Sequence, residues 1–190
     1  MSDHTPTHSQ TVGPFFSIGL SALCREDIDC GATAGERVKI CGRVLDGDGM
    51  PTPDALLEIW HLGVRVAGEP EMQGAPAQRG NFPLGFGRIP TNAVGEYQFT
   101  TNKPAVRRDA DGTVHAPHLV VVLFMRGLLR HLITRIYFAD EASNANDPVL
   151  NLVPCDRRGT LLAKKASSGE SDLLWDIHLQ GENETVFFDV

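Results

Sequence analysis

At 190 residues and a formal net charge of −7, the chain is long enough for one domain that buries roughly 70% of its unfolded surface, so it needs no disulfide or metal staple to fold. The acidic balance is not offset by any lysine- or arginine-rich run, which argues against nucleic acid and against an anionic membrane surface as partners. The four cysteines, Cys24, Cys30, Cys41 and Cys155, form no C-x-x-C pair and read as reduced, mostly buried thiols of a cytosolic protein. The first ten residues are polar and lack the basic-then-apolar order of a signal peptide. The longest apolar run, Leu119 to Met125, is too short to span a bilayer. Asn183-Glu-Thr185 fits a glycosylation sequon, but without a secretory signal it carries no weight. The expectation is a soluble, cytoplasmic protein.

In chain order, residues 1–20 hold few apolar side chains before Val12-Gly-Pro-Phe-Phe16 and read as an arm that lies along another surface. Residues 21–190 read as one domain. Within it Arg37 to Val44 alternates, with Val38, Ile40 and Val44 on one face and Lys39 and Arg43 on the other. Asp46-Gly-Asp-Gly49 with Pro51 and Pro53 supplies a turn, and Ala55 to His61 resumes extended character. Residues 62–94 are rich in glycine and proline, with Phe82 and Phe86 among them. A connection that long in a compact domain is expected to be functional or to pack against a partner. Gly95 to Thr101 alternates, His118 to Phe124 is a buried strand, and Leu132 to Phe138 is β-branched and aromatic. Asp140 to Asn146 has room for one or two helical turns. Leu173 to Leu179 alternates again, and Thr185 to Val190 closes the chain in extended form. No long segment carries a helical period and no internal repeat is present. The pattern is that of an all-β protein, an antiparallel β-sandwich or barrel with long Gly/Pro-rich loops and an N-terminal arm.

The segment His115-Ala-Pro-His-Leu-Val-Val-Val-Leu-Phe-Met-Arg-Gly127 is the most informative. A second histidine two residues beyond His118 would set two imidazoles on one face of a strand, ready to grip a metal. That position holds Val120. Among His61, His115, His118, His131 and His178 no H-x-H, H-x-x-x-H or H-E-x-x-H spacing occurs. His4 and His8 are four apart, but in a polar arm without helical support. Satisfied structural histidines are the better reading. There is no G-x-S-x-G elbow, no cysteine-nucleophile signature and no phosphate cradle, since Gly85-Phe-Gly87 lacks a strand before and a helix after. Arg126 follows seven apolar residues and precedes Gly127, so its base sits at the rim of the core. Its guanidinium could take a ligand carboxylate in bidentate fashion, or pair with a neighbouring aspartate; local sequence leaves both open.

Six segments in order are similar to one known family. They are Ser9-Gln-Thr-Val-Gly-Pro-Phe-Phe16, Leu57-Glu-Ile-Trp-His61, Ala116 to Gly127, Thr134-Arg-Ile-Tyr-Phe138, Asp147-Pro-Val-Leu-Asn-Leu152 and Gln180 to Asp189. Together they resemble the intradiol ring-cleavage dioxygenases, and within them the alpha type of the two-chain members. The resemblance implies a β-sandwich and a non-haem Fe(III) held by two tyrosines and two histidines. Phenolates are anionic oxygen donors that suit the oxidised metal. It also implies that the iron belongs to a homologous beta chain, because the H-x-H strand here reads His118-Leu-Val120. The chain's two tyrosines, Tyr97 and Tyr137, both fall in strand patterns, away from the loops that carry the ligands in that family. The reaction implied is cleavage of protocatechuate by O2 between its two hydroxyl-bearing carbons, giving 3-carboxy-cis,cis-muconate. Carried over, Thr11, Gly13, Pro14 and Phe15 would line the substrate cavity against the beta chain and Arg126 would face the anionic substrate. Phe15 stands where related alpha chains commonly have tyrosine. This chain itself would supply no catalytic residue and no metal ligand. The other reading is a stand-alone β-sandwich module that binds a small ligand with its arm and its Gly/Pro loop.

Overall fold

The computed structural model describes residues 7–13, 15–28, 35–62, 84–166 and 172–189. A short helix α1 (Phe15–Leu20) and a 3-10 turn (Ser21–Leu23) lead into β1 (Asp27–Ile28), β2 (Arg37–Leu45), β3 (Leu56–Leu62), β4 (Leu84–Pro90) and β5 (Glu96–Asn102). The small hairpin β6 (Arg107–Arg108) and β7 (Val114–His115) follows, then β8 (His118–Phe124) and β9 (Leu132–Phe138). A 3-10 helix (Ala142–Asn146), helix α2 (Pro148–Leu152) and a second 3-10 helix (Arg158–Leu161) precede β10 (Leu162–Lys165), β11 (Asp172–Leu174) and β12 (Ile177–His178).

Strand order in the main sheet is β1-β5-β2-β11-β10-β9-β8-β3-β4, with β12 also on β2. The two ends of that path meet: the Arg25 amide donates to the Arg88 carbonyl at 3.0 Å. The Ile28 side chain lies where a Cβ on Gly87 would sit, 2.6 Å away. The result is a flattened, nearly closed barrel, and closure hides the edge strands that an open sheet would expose. Alternation dictates its lining. Val38, Ile40 and Val44 of β2, Leu57 and Ile59 of β3, Leu119, Val121 and Leu123 of β8 and Ile136 of β9 are all inside one cluster. Each such side chain stabilises the fold by roughly 1.5–3 kcal/mol relative to exposure. Gly42 takes the inward place between Ile40 and Val44, because a Cβ there would lie 1.8 Å from the Trp175 carbonyl oxygen. Tyr97, opposite Gly42 in register, fills the space instead.

The all-β expectation holds, and the main ladders β2–β5, β3–β4, β3–β8 and β8–β9 are antiparallel. The sheet as a whole is mixed, however. β1 on β5, β10 on β9, β11 on β2 and β12 on β2 are parallel. These are short strands returning from distant parts of the chain, so no hairpin turn fixes their direction. Residues 84–90, expected within a long connection, form β4 against β3, and Phe86 packs on Trp60 with ring centroids 4.1 Å apart. Residues 63–83 of that connection, including Phe82, lie outside the described residues. The run 173–179 divides at Trp175–Asp176 into β11 and β12. The C-terminal stretch makes a single bridge, Phe188 to Ile133, in place of a strand. The cysteines are less buried than composition suggested: Cys24 and Cys41 are partly exposed, Cys155 is exposed, all three are free, and Cys30 lies outside the described residues. Among the described residues, no helix is long and apolar enough to cross a membrane.

A second, smaller core of Ala116, Tyr137, Leu150, Val153 and Leu161 sits under α2 and the 3-10 helices. It covers one end of the outer face of β8 and β9. The other end of that face meets α1 and the N-terminal arm.

Candidate functional site

Residues 118, 120, 122 and 124 share the outer face of β8, while Leu119, Val121 and Leu123 are buried in the barrel. The face therefore runs from His118 through Val120 and Val122 to Phe124, and on to Arg126. Its two ends are built differently.

At the first end His118 is cross-strand to Tyr137, and Val120 to Arg135. His118 Nδ1 lies 2.8 Å from the Ala116 carbonyl; a carbonyl only accepts, so Nδ1 carries the proton. Burial drives the imidazole pKa down to about 4, only partly offset by that carbonyl, and Arg135 pushes the same way. The Tyr137 hydroxyl donates to Asp147 Oδ1 at 3.0 Å and receives an Arg135 N–H at 3.3 Å. Burial, opposed by Arg135, pushes its phenol up to about 12. Asp147 is fully buried and caps α2: Oδ1 accepts from the Val149 and Leu150 amides at 3.0 and 2.8 Å, and Oδ2 from the Ala116 amide at 2.9 Å. Pro148 stands in the first turn, where its missing N–H costs nothing. Burial alone would raise the Asp147 pKa, but the Leu150 and Ala116 amides and the Tyr137 hydroxyl outweigh it and hold the carboxyl below its ordinary value. The Asp147 carboxylate, the Tyr137 hydroxyl and His118 Nδ1 are each paired within the chain.

At the second end the guanidinium of Arg126, its side chain 57% exposed, donates from Nε to Asp54 Oδ2. The Gly127 amide donates to Thr11 Oγ1 at 2.8 Å, which lays the arm over the turn that follows β8. Phe16 of α1 packs on Phe124 at 5.4 Å, and Phe124 in turn on His131 at 5.6 Å. The Gly13 carbonyl accepts the Phe16 amide at 3.1 Å. Phe15 is 78% exposed and Ile18 65%. Of the residues singled out from sequence, Thr11 and Arg126 are thus brought together across the chain. Gly13 and Phe15 stand on the exposed start of α1, and Pro14 lies outside the described residues. Asp54 was missed. Its signal is the β3–β8 register, in which Leu56 faces Phe124; two residues further out, position 54 faces position 126.

The remaining histidines are structural. His61 is buried, with Nδ1 3.2 Å from the Leu62 carbonyl and Nε2 2.7 Å from the Thr101 hydroxyl. His115 Nε2 donates to Asp109 Oδ2 at 2.8 Å. Among the described residues no three His, Cys, Asp or Glu side chains are placed to share a metal ion. A hollow of about 440 Å³ between Glu26, Arg43, Glu96 and Asp176 lies against β2 and β5 and shares no residue with either end of β8.

Comparison with known proteins defines the class first. The fold is that of ring-cleaving dioxygenases: the 3-chlorocatechol 1,2-dioxygenase of Rhodococcus opacus 1CP superposes with a TM-score of 0.60 at 19% identity, covering 93% of this chain and 68% of that one. The family model described as Dioxygenase matches residues 13–181. The chain is 41% identical to the protocatechuate 3,4-dioxygenase alpha chain of Burkholderia cepacia, over 97% of each. It is 30% identical to the beta chain from the same organism, over 86% of this chain and 72% of that one. This chain belongs to the intradiol ring-cleavage dioxygenase family, whose members are non-haem iron enzymes.

The residues present do not fit that iron. Val120 offers no donor where the second histidine of the strand would stand. Tyr137 is committed to Asp147, and Tyr97 is wholly buried with its hydroxyl donated to the Trp175 carbonyl at 2.5 Å. Burial, with Asp176 and Cys41 adding to it, holds the Tyr97 phenol well above its usual pKa. With only two tyrosines in the whole chain, no further phenolate is available.

Proposed function

We infer that this chain is the alpha-type subunit of a two-chain intradiol dioxygenase, completing a substrate pocket whose iron a homologous beta chain holds. The observation that carries the reading is the contrast along β8: family scaffold throughout, Val120 in place of a histidine at one end, an exposed cation at the other. The similarity to both chains of the Burkholderia cepacia enzyme supports a two-chain assembly over a stand-alone binding module.

The substrate class follows from that likeness and from Arg126. Protocatechuate carries a carboxylate opposite its catechol edge, and the complex cleaves it with O2 between the two hydroxyl-bearing carbons. Both oxygen atoms enter the product, 3-carboxy-cis,cis-muconate. This chain binds and orients. Arg126 offers charge-assisted hydrogen bonds to the ring carboxylate, strengthened where a partner excludes water. Thr11, Gly13, Pro14 and Phe15 wall the pocket. The arm, residues 1–20, contacts the beta chain through the apolar side chains of α1. Exposed Phe15 and Ile18, with Leu129 at 63% in the turn beyond Arg126, give it an apolar surface that burial would favour.

Co-expression with and without the beta chain tests this, with iron content and protocatechuate-dependent O2 uptake as readouts. Iron and activity should appear only with the partner. An iron-loaded, active chain on its own would refute the proposal, and so would a folded two-chain complex without iron. Removing the first 16 residues should cost turnover well before it costs folding; a truncated complex with full turnover would refute the arm's role.

A further inference from the structure

We propose that Asp54 is a positioning residue that fixes the Arg126 guanidinium for the substrate carboxylate, an inference that rests on the substrate-facing role given to Arg126 above. Asp54 closes the Pro51-Thr-Pro-Asp turn at a point where the backbone is held from both sides. The Thr52 amide donates to the Val44 carbonyl at 2.8 Å. The Ala55 amide donates to Thr91 Oγ1 at 3.0 Å, and that hydroxyl donates to the Thr52 carbonyl at 3.0 Å. The Thr91 amide returns a bond to the Ala55 carbonyl at 2.9 Å. Thr52, Ala55 and Thr91 are all buried, so the carboxylate between them is presented from a fixed base, its side chain 23% exposed.

That carboxylate takes only the Nε edge of Arg126. A guanidinium has five N–H groups in a rigid planar fork. With Nε engaged on one side, the two terminal amino groups form the free edge, and a planar carboxylate can be received there through two parallel bonds. An arginine this exposed would otherwise spread over many rotamers and lose that freedom on binding. Asp54 removes the freedom beforehand.

A second effect opposes the first. Asp54 is an anion beside the cation meant to attract an anion, and it weakens the long-range pull. A carboxylate on the free edge lies on the far side of the guanidinium from Asp54, so the repulsion acts over the longer distance, whereas the fork geometry and the ordered rotamer act at contact. Positioning is therefore expected to win, and the two effects have opposite signs in KM.

The test uses the two-chain complex with Asp54→Ala, Asp54→Asn, Arg126→Ala and the double variant, assayed on protocatechuate and on a catechol without a carboxylate. Asp54→Ala should raise KM for protocatechuate about 3- to 15-fold with kcat nearly unchanged. Asp54→Asn keeps an acceptor oxygen and should restore most of the loss. The uncharged catechol should show no change, and the double variant should be no worse than Arg126→Ala. A fall in KM for Asp54→Ala would overturn the proposal in favour of a charge brake. An equal rise on the uncharged catechol, or on top of Arg126→Ala, would overturn it in favour of a structural role for the turn. Arg126→Ala separates the two levels. If it raises KM roughly 10- to 100-fold while Asp54→Ala does nothing, this proposal alone fails; if it leaves KM unchanged, the reading of Arg126 fails and Asp54 falls with it.

Discussion

The two ends of the β8 face, His118 and Arg126, lie eight residues apart on the same alternation, yet they have opposite characters. At the His118 end the phenol of Tyr137 and the carboxylate of Asp147 are buried and the imidazole is half-buried, each engaged with a partner from its own chain. At the Arg126 end one carboxylate holds one edge of a guanidinium, and the rest faces outward. Burying polar groups makes internal partners obligatory, because an unpaired one costs about 1–3 kcal/mol. An exposed rim carries no such demand, so its charges are free for a ligand. On the proposed reading, one strand thus gives up a metal ligand at one end and keeps a substrate contact at the other.

The contrast can be broken first at its closed end. Asp147→Ala removes the cap of α2 and strips the Ala116 amide and Tyr137 hydroxyl of their acceptor. The expected loss is about 3–5 kcal/mol in urea unfolding; a loss under about 1 kcal/mol would show that the cluster is not the closed unit described.

The pH response sharpens the same end. His118 in the folded chain stays neutral down to about 4, whereas unfolded histidine takes its proton near 6.5. Between those values the unfolded state binds more protons, so stability falls as pH drops from about 6.5 to about 4, by at most about 3 kcal/mol. The part of this loss due to His118 should vanish in His118→Gln. Asp147 adds a separate loss at lower pH, since its depressed folded pKa contributes stability above the unfolded carboxylate value that disappears as pH falls through the folded one. An unaltered slope in His118→Gln would place the histidine in water.

At the open end, Arg126→Ala should weaken protocatechuate by about 1.5–3 kcal/mol in kcat/KM while iron content and urea midpoint hold. A matching drop in stability would make the residue structural. The smallest effect is expected for Thr11→Val, which removes the acceptor for the Gly127 amide. At this exposed site about 0.5–1.5 kcal/mol of net hydrogen bonding is lost. It should appear as a modest rise in KM, with α1 less protected in hydrogen exchange; no change in either would detach the arm from the rim.

Much of this was legible in the sequence, for physical reasons that differ by element. β2 and β5 follow from period-two alternation because one face of each lines the barrel, whereas β3, β8 and β9 showed as apolar or β-branched runs between turns. That Val120 shares a face with His118 was legible too, since a strand puts residues 118 and 120 on one face whatever the fold. The parallel docking of β10 on β9 and β11 on β2 left no local trace, because such pairings join segments that no turn connects. β4 was hidden by Gly85 and Gly87, which read as loop; at Gly87 the missing side chain makes room for Ile28. Asp147 looked like any surface carboxylate until α2 folded over it, although the Asp-Pro pair is a helix-start signal. Asp54 needed the register of two strands, which no single segment contains.

The most direct test of the central claim is the iron content of the purified two-chain complex, measured against the amount of each polypeptide. One iron per alpha–beta pair, with none retained by this chain once the two are separated, is the expected result. Two irons per pair, or iron that stays with this chain, would contradict the assignment of its β8 face to substrate alone.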